Sequence, residues 1–274
     1  MRLIALIALA AALSFAQDAR QIVLRSLELD GRNERIARNY TFVARNETRQ
    51  IDGQGRLKQR RVLTYDVTLL EGSPYTRLIA RDDKPLSPAE QRKEEEKLRK
   101  SIEQRRKETP DQRTRRLADW EKKRREQHDP LLEIPEAFEL RVAGSERVDG
   151  KDAWIIDGTP RPGFRPKSRL ARFFPKFKGR LWIDKQDSVW VKAEVDVLDI
   201  ISFGLFLARL QKGAHLTFEQ TRVNDEVWLP KRVTVAFAAR VLLLKTIRAE
   251  VDATFRDYRK FQSESRLVGF EPPP

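Results

Sequence analysis

Residues 179–197 read Gly-Arg-Leu-Trp-Ile-Asp-Lys-Gln-Asp-Ser-Val-Trp-Val-Lys-Ala-Glu-Val-Asp-Val, and their alternation decides the fold class. Val189, Val191, Ala193, Val195 and Val197 fall on one face against Trp190, Lys192, Glu194 and Asp196, the period of two that a half-buried strand requires. Gly179 to Asp184 make the preceding strand, and Lys185-Gln186-Asp187-Ser188 is short and polar enough to turn between them.

The same texture extends in both directions. Asp149-Gly150 joins strands at 138–148 and 151–157, and Asn224-Asp225 joins strands near 213–223 and 226–238; such pairs are favoured where a tight turn needs positive φ. A last strand near 247–258 aligns Ile247, Ala249, Val251, Ala253 and Phe255. Upstream, Tyr40, Phe42 and Ala44 alternate with Thr41, Val43 and Arg45. Past the turn at 52–55, Leu63, Tyr65, Val67 and Leu69 share a face, and a strand near 75–81 follows Gly72-Ser73-Pro74. Consecutive hairpins without crossover helices predict an antiparallel sheet of about ten strands, which must curl to cover itself.

Two other segments break this pattern. Residues 1–16 hold a positive Arg2, an apolar run from Leu3 to Leu13 and Ser14-Phe15-Ala16, the layout of an export signal cleaved after Ala16. The run is shorter than the roughly 20 residues a spanning helix needs, and with no cysteine after it the mature chain cannot be a lipoprotein. The expected location is the periplasm, with residues 17–274 forming one domain. Residues 18–30 read as a short amphipathic helix capped by Asp18.

The second break is 87–128, where 15 basic and 10 acidic residues leave Leu98, Ile102, Leu117 and Trp120 almost alone as large apolar positions. Ser87-Pro88-Ala89-Glu90 and Thr109-Pro110-Asp111-Gln112 are capping boxes with proline at the first helical position, so two helices start there. They predict a charged helical hairpin inserted into the sheet, either a solvated spacer or an arm that docks an envelope partner.

Composition narrows the function. The chain has 274 residues, a net charge of +14, two histidines, no cysteine and a mean hydropathy of −0.61. Thiol chemistry and cysteine-bound metal are excluded outright, and two histidines without motif-spaced partners offer no triad, so no catalytic residue, metal or cofactor is expected. Positive charge favours anionic partners, and export turns that preference from nucleic acid towards an anionic membrane surface.

Two stretches are candidate binding surfaces. Residues 161–180 carry eight cations and no acid, interleaved with phenylalanines. Within them Arg165, Lys167, Arg169, Arg172, Phe173, Phe174 and Lys176 suit a lipid interface, with rings in the acyl boundary and cations at phosphate, or else form a solvated crossover loop. Residues 198–210 are the most apolar part of the mature chain, and thirteen residues cannot span a bilayer. Ile201, Phe203 and Phe206 there are either core or the lining of a lipid cavity, as are Tyr65, Trp182, Trp190 and Trp228 on the strands.

The hairpin Gly179-Arg180-Leu181-Trp182-Ile183-Asp184-Lys185 with Trp190-Val191-Lys192-Ala193-Glu194 resembles the LolA-like superfamily, in which a G-x-L-W-I-D-K strand precedes a V-x-x-E strand. Val148 to Ile156 and Val223 to Pro230 resemble the hairpins on either side of it. The resemblance covers most of 17–260 apart from 87–128. It implies an unclosed half β-barrel with short covering helices, whose concave face shelters acyl chains of lipoproteins or other envelope lipid, without catalysis. The charged helices and the basic loop are departures from that family.

Overall fold

In the computed structural model the backbone is described for residues 2–203, 208–241 and 245–261, with side chains from residue 18 onward except Phe203. Helix α1 (Arg2–Ala37) precedes strands β1 (Tyr40–Ile51), β2 (Leu57–Leu70), β3 (Ser73–Arg81) and β4 (Lys84–Pro85). Helices α2 (Pro88–Arg106) and α3 (Pro110–His128), a 3₁₀ turn (Asp129–Glu133) and α4 (Ile134–Ala137) lead to β5 (Phe138–Val148) and β6 (Lys151–Pro160). A second 3₁₀ turn (Ala171–Lys176) precedes β7 (Phe177–Asp184) and β8 (Trp190–Val197). Then come β9 (Ile201–Phe203), β10 (Ala208–Leu210), β11 (His215–Val223), β12 (Val227–Val241) and β13 (Lys245–Lys260).

All thirteen strands belong to one antiparallel sheet, ordered β4-β3-β2-β1-β13-β12-β11-β8-β7-β6-β5, with β10 on β12 and β9 on β10. Its end strands, β4 and β5, do not pair with each other, so the barrel is unclosed. The strands beyond the ten expected are the short β4, β9 and β10. Curling is visible in one contact: Lys231 of β12 reaches the Asp149 carboxylate beside β6 at 2.6 Å. Four strand spacings separate β12 from β6 along the sheet, about 19 Å if flat, which a lysine cannot span.

The register gives the sheet two unlike faces. One row runs Ile156, Leu181, Ala193, Phe218, Val233, Ala253, Asn46, Leu63 across eight strands, with a single polar member. The neighbouring row on the opposite face runs Asp157, Arg180, Glu194, Thr217, Thr234, Asp252, Glu47, Val62 and is almost wholly polar. Helix α1 lies on the apolar face, where Ala19 and Val23 pack with Leu140, Ile156 and Ile183 in a fully buried cluster. That face is therefore the inner one.

One strand departs from its expected facing. A bulge at Val191 sets Trp190 opposite Ile183 while Ala193 stays opposite Leu181, so Trp190 joins the inner face and Val191 packs with Trp182 instead. An extra residue in one strand shifts the side-chain parity, which alternation alone does not reveal.

Helix α1 runs past the expected stop at Asp30 to Ala37, through a glycine and an asparagine that are poor helix formers. Tertiary contacts outweigh propensity here. The Asn33 Nδ2 donates to the Trp228 carbonyl and the Trp228 N–H donates to Asn33 Oδ1, both at 2.7 Å, so one side chain imitates a strand partner. Both capping boxes form as expected, starting α2 at Pro88 and α3 at Pro110. No described residue of either helix is buried, and arginines attach them to the body. Arg105 donates to the Leu70 and Ser73 carbonyls, Arg116 to Ser73 Oγ and the Glu71 carbonyl, and Arg124 to Glu34 of α1.

Asn33→Ala leaves the Trp228 N–H and C=O without their partner. The expected cost is about 2–3 kcal/mol, read as a lower urea midpoint with an unchanged slope.

Candidate functional site

Beyond α1 the inner face continues without losing its apolar character. Leu216, Val235 and Val251 stand opposite one another on β11, β12 and β13, and Phe255, Ala44 and Tyr65 do so on β13, β1 and β2. Except for Ala44 these side chains are half-exposed, unlike Ile156 and Ile183 beneath the helix. Aromatic contacts organise the stretch. Trp190 and Phe218 have ring centroids 4.7 Å apart, and Phe42 lies 5.7 Å from Phe255 and 5.6 Å from Tyr258. The result is an open apolar trough, walled on one side by α1.

The residues expected to line a cavity separate into groups. Tyr65 and Trp190 stand half-exposed on the inner face. Ile201 is 1% exposed and packs with Val197, Ala214, Phe173 and Phe237, so it is core. Trp182 faces outward, one residue out of phase with Ile183, under the ammonium of Lys192, 4.2 Å from its ring centroid. Trp228 is buried in the same cluster, its Nε1 donating to Asp187 at 3.1 Å. Phe206 and the Phe203 side chain lie outside the described residues. The half-exposed Val235, Phe237, Val251 and Phe255 were missed, although their period-two alignment on two long strands was readable.

The basic loop is also dispersed. Lys167 pairs with Glu136 at 3.2 Å and Lys176 with Asp199 at 2.9 Å, so neither offers free charge. Phe174 packs in the core against Phe138 and Phe177, and Phe173 packs against Ile201. Arg165, Arg169 and Arg172 stay exposed, Arg172 over the Phe173 ring at 4.6 Å.

A polar contact ties the trough to the helices. Asp30 of α1, 8% exposed, accepts from Trp190 Nε1 at 3.1 Å, and its other oxygen lies 3.2 Å from Nε2 of His128 at the end of α3. The His128 contact is an ion pair by distance, with the N–H off the hydrogen-bond line. The Asp30 carboxylate, helped by Glu34 and Asp129, raises the His128 imidazole above its ordinary range against the opposing effect of burial.

A groove of about 650 Å³ on the outer face is lined by Arg141, Asp157, Arg180, Glu194 and Asp196 among others. Its charges already satisfy one another: Arg180 donates to Asp157 at 2.6 Å, and Asp196 is held below the usual carboxylate range by His215 first and Lys178 next. His215 bridges Asp196 at 2.7 Å and Thr217 Oγ1 at 3.2 Å, which has the connectivity of a catalytic relay. It opens β11 at the end of the β8–β11 ladder, and the neighbouring Val197 N–H is already donated to the Ala214 carbonyl at 2.9 Å, so that N–H is not available as an oxyanion donor. Among the described residues no group of three or more potential metal ligands converges either.

No protein-family profile matches the chain, and no curated protein does. Among solved structures it is similar to an outer membrane lipoprotein-sorting protein domain from Vibrio parahaemolyticus, at 13% identity over 92% of this chain and 95% of that one, with TM-score 0.38. It is also similar to a LolA superfamily protein from Nitrosomonas europaea, at 10% identity over 89% and 93% of the two chains, TM-score 0.33. A DUF1329 family protein from Desulfovibrio piger matches at 10% identity over 87% and 92%, TM-score 0.29.

Because the folded His128 titrates above its unfolded value near 6.5, its contribution to stability is fully present below that pH and is lost as pH rises through the folded value. Urea midpoints of the wild type should therefore fall from pH 6 towards pH 8 more steeply than those of His128→Gln. Equal slopes would remove the ion pair from the account.

Proposed function

We propose that the protein is exported and carries or senses an acyl-chain ligand on the uncovered half of its inner face, lipoprotein acyl chains first and other envelope lipid second. One observation carries this reading: the inner row that begins buried at Ile156 ends half-exposed at Leu63 without becoming polar. A sheet face meant for water alternates to polar side chains, as the outer row does. A sizeable exposed apolar surface on a soluble chain marks a binding site.

The energetics favour long or multiple chains. Half-covering about fifteen methylenes gains about 6 kcal/mol before the cost of association, so useful affinity needs contact along the whole trough or more than one acyl chain. Tyr65 and Trp190 lie on the proposed lining with Val235, Phe237 and Phe255, and binding there calls for no reactive group. The lipoprotein cargo is suggested by the resemblance of the 148–156 and 179–194 hairpins. The export-signal layout of residues 1–16 supports a periplasmic location, and among the described residues no helix is long and apolar enough to cross a membrane.

Purified natively without detergent, the protein should carry a stoichiometric lipid or acylated peptide by native mass spectrometry; a clean unliganded mass would sink the carrier reading. Val235→Asp, at the centre of the trough and away from the α1 contacts, should weaken binding of a fluorescent fatty acid at least about tenfold, equivalent to losing contact with two methylenes. Unchanged affinity in a folded Val235→Asp protein would place the ligand elsewhere.

A further inference from the structure

The two ends of the sheet differ in charge and in exposed apolar side chains. At one end the turns β2–β3, β5–β6, β7–β8 and β11–β12 carry Glu71, Asp149, Asp187 and Asp225. At the other end lie the β1–β2 turn, the 161–176 connection, residues 198–200 and the β10–β11 turn, together with the paired ends of β12 and β13 at Val241 and Lys245. Three of the exposed large apolar side chains stand there: Leu57 at 52%, Leu170 at 45% and Ile200 at 39%. Around them Lys58, Arg165, Arg169, Lys212 and Lys245 are exposed and form no hydrogen bond or ion pair.

Most carboxylates at this end are already taken up, Glu139 at the start of β5 being exposed and unpaired. Asp52 accepts from Arg56, Asp199 from Lys176 and Glu136 from Lys167, while Glu133 accepts two backbone N–H groups at Lys167 and Ser168. Asp83, in the nearby β3–β4 turn, is bound by Arg45 and Arg60. What remains is net positive charge interleaved with bare leucine and isoleucine.

We propose that this end of the half-barrel docks on an anionic lipid bilayer, with Leu57, Leu170 and Ile200 entering the acyl boundary and the surrounding cations meeting headgroup phosphate. Side chains of these two kinds in alternation suit a bilayer surface, because a polyanion in solution offers nothing for three exposed aliphatic tips to enter. Docked this way, the strands stand end-on to the membrane and the trough runs from the bilayer surface along the sheet. The docking surface is separate from the trough, so each can fail without the other.

Flotation of the purified full-length protein with vesicles tests this. Vesicles of phosphatidylcholine with 30% phosphatidylglycerol are compared with phosphatidylcholine alone, at low salt and at about 0.5 M salt. The wild type should bind the anionic vesicles selectively. Charge reversal at Arg165, Arg169, Lys212 and Lys245 to glutamate should weaken binding at least about a hundredfold, on the scale of fivefold per cation neutralised. The triple change Leu57→Ser, Leu170→Ser, Ile200→Ser should abolish the binding that survives high salt. Reversing Arg92, Lys93, Lys122 and Lys123 on α2 and α3 should leave binding within about threefold.

No selective flotation of the wild type overturns the proposal, as does an equal loss from reversing the α2 and α3 cations, which would mean unspecific charge attraction. If the fourfold rim variant fails to fold by circular dichroism, the serine variant and the wild-type salt series decide alone. Fatty-acid binding without vesicles, measured on the same proteins, reports the trough independently. A protein that binds the probe but does not float keeps the carrier reading and loses the docking one, and the reverse result does the opposite.

Discussion

An antiparallel sheet eleven strands across among the described residues presents more apolar face than one helix can cover, and this mismatch organises the molecule. A helix with its side chains is about 10–12 Å across, while eight paired strands span over 30 Å before curling. Helix α1 therefore buries the inner face at β5 to β8 and reaches the lower part of β12, leaving β13, β1 and β2 with half-exposed leucine, valine and aromatic side chains. A protein under pressure only to be stable would have closed the barrel or made those positions polar. The uncovered remainder is a cost to solubility that a ligand would offset.

Apolar packing seats α1 on the sheet, and polar contacts fix the position of all three long helices. Asn33 exchanges two hydrogen bonds with the Trp228 backbone, Asp30 takes the Trp190 indole, and α2 and α3 attach through guanidinium groups to carbonyls and carboxylates. The attachments of α2 and α3, neither of which buries a described residue, specify position without a large apolar area. The polar contacts also place titratable groups where they touch the inner face, since Trp190 belongs to both the trough wall and the Asp30 contact. The outer face uses charge differently. Arg45, Glu47, Arg60 and Asp83 form a network over Val62, which is fully buried, with Glu47 depressed to about 2 by Arg60 and Arg45 in turn.

Much of this was legible in the sequence because strand alternation and capping boxes are local signals. The hairpins at Asp149-Gly150 and Asn224-Asp225 and the starts of α2 and α3 follow from residues within four positions of each other. The failures are non-local. The bulge at Val191 is one residue long and turns Trp190 inward. The extension of α1 depends on Asn33 meeting a strand 195 residues away. Trp182 and Trp228 are core because of clusters assembled from three or more strands, which single-strand periodicity does not contain. The basic loop looked like one patch because its acidic partners, Glu136 and Asp199, lie outside it in the chain.

The acids in the tight turns have a backbone origin. Asp149-Gly150 and Asn224-Asp225 both adopt positive φ, at 48° and 83° and at 51° and 53°, as two-residue hairpins on twisted strands require. Among residues with side chains, asparagine and aspartate tolerate that region best, so tight turns draw acids here and also at the opposite end, where Asp82-Asp83 turn with φ of 51° and 59°. The connections at the other end are mostly longer, and the sixteen positions of 161–176 carry no such restriction throughout. Cations and aliphatic side chains could collect there without backbone strain.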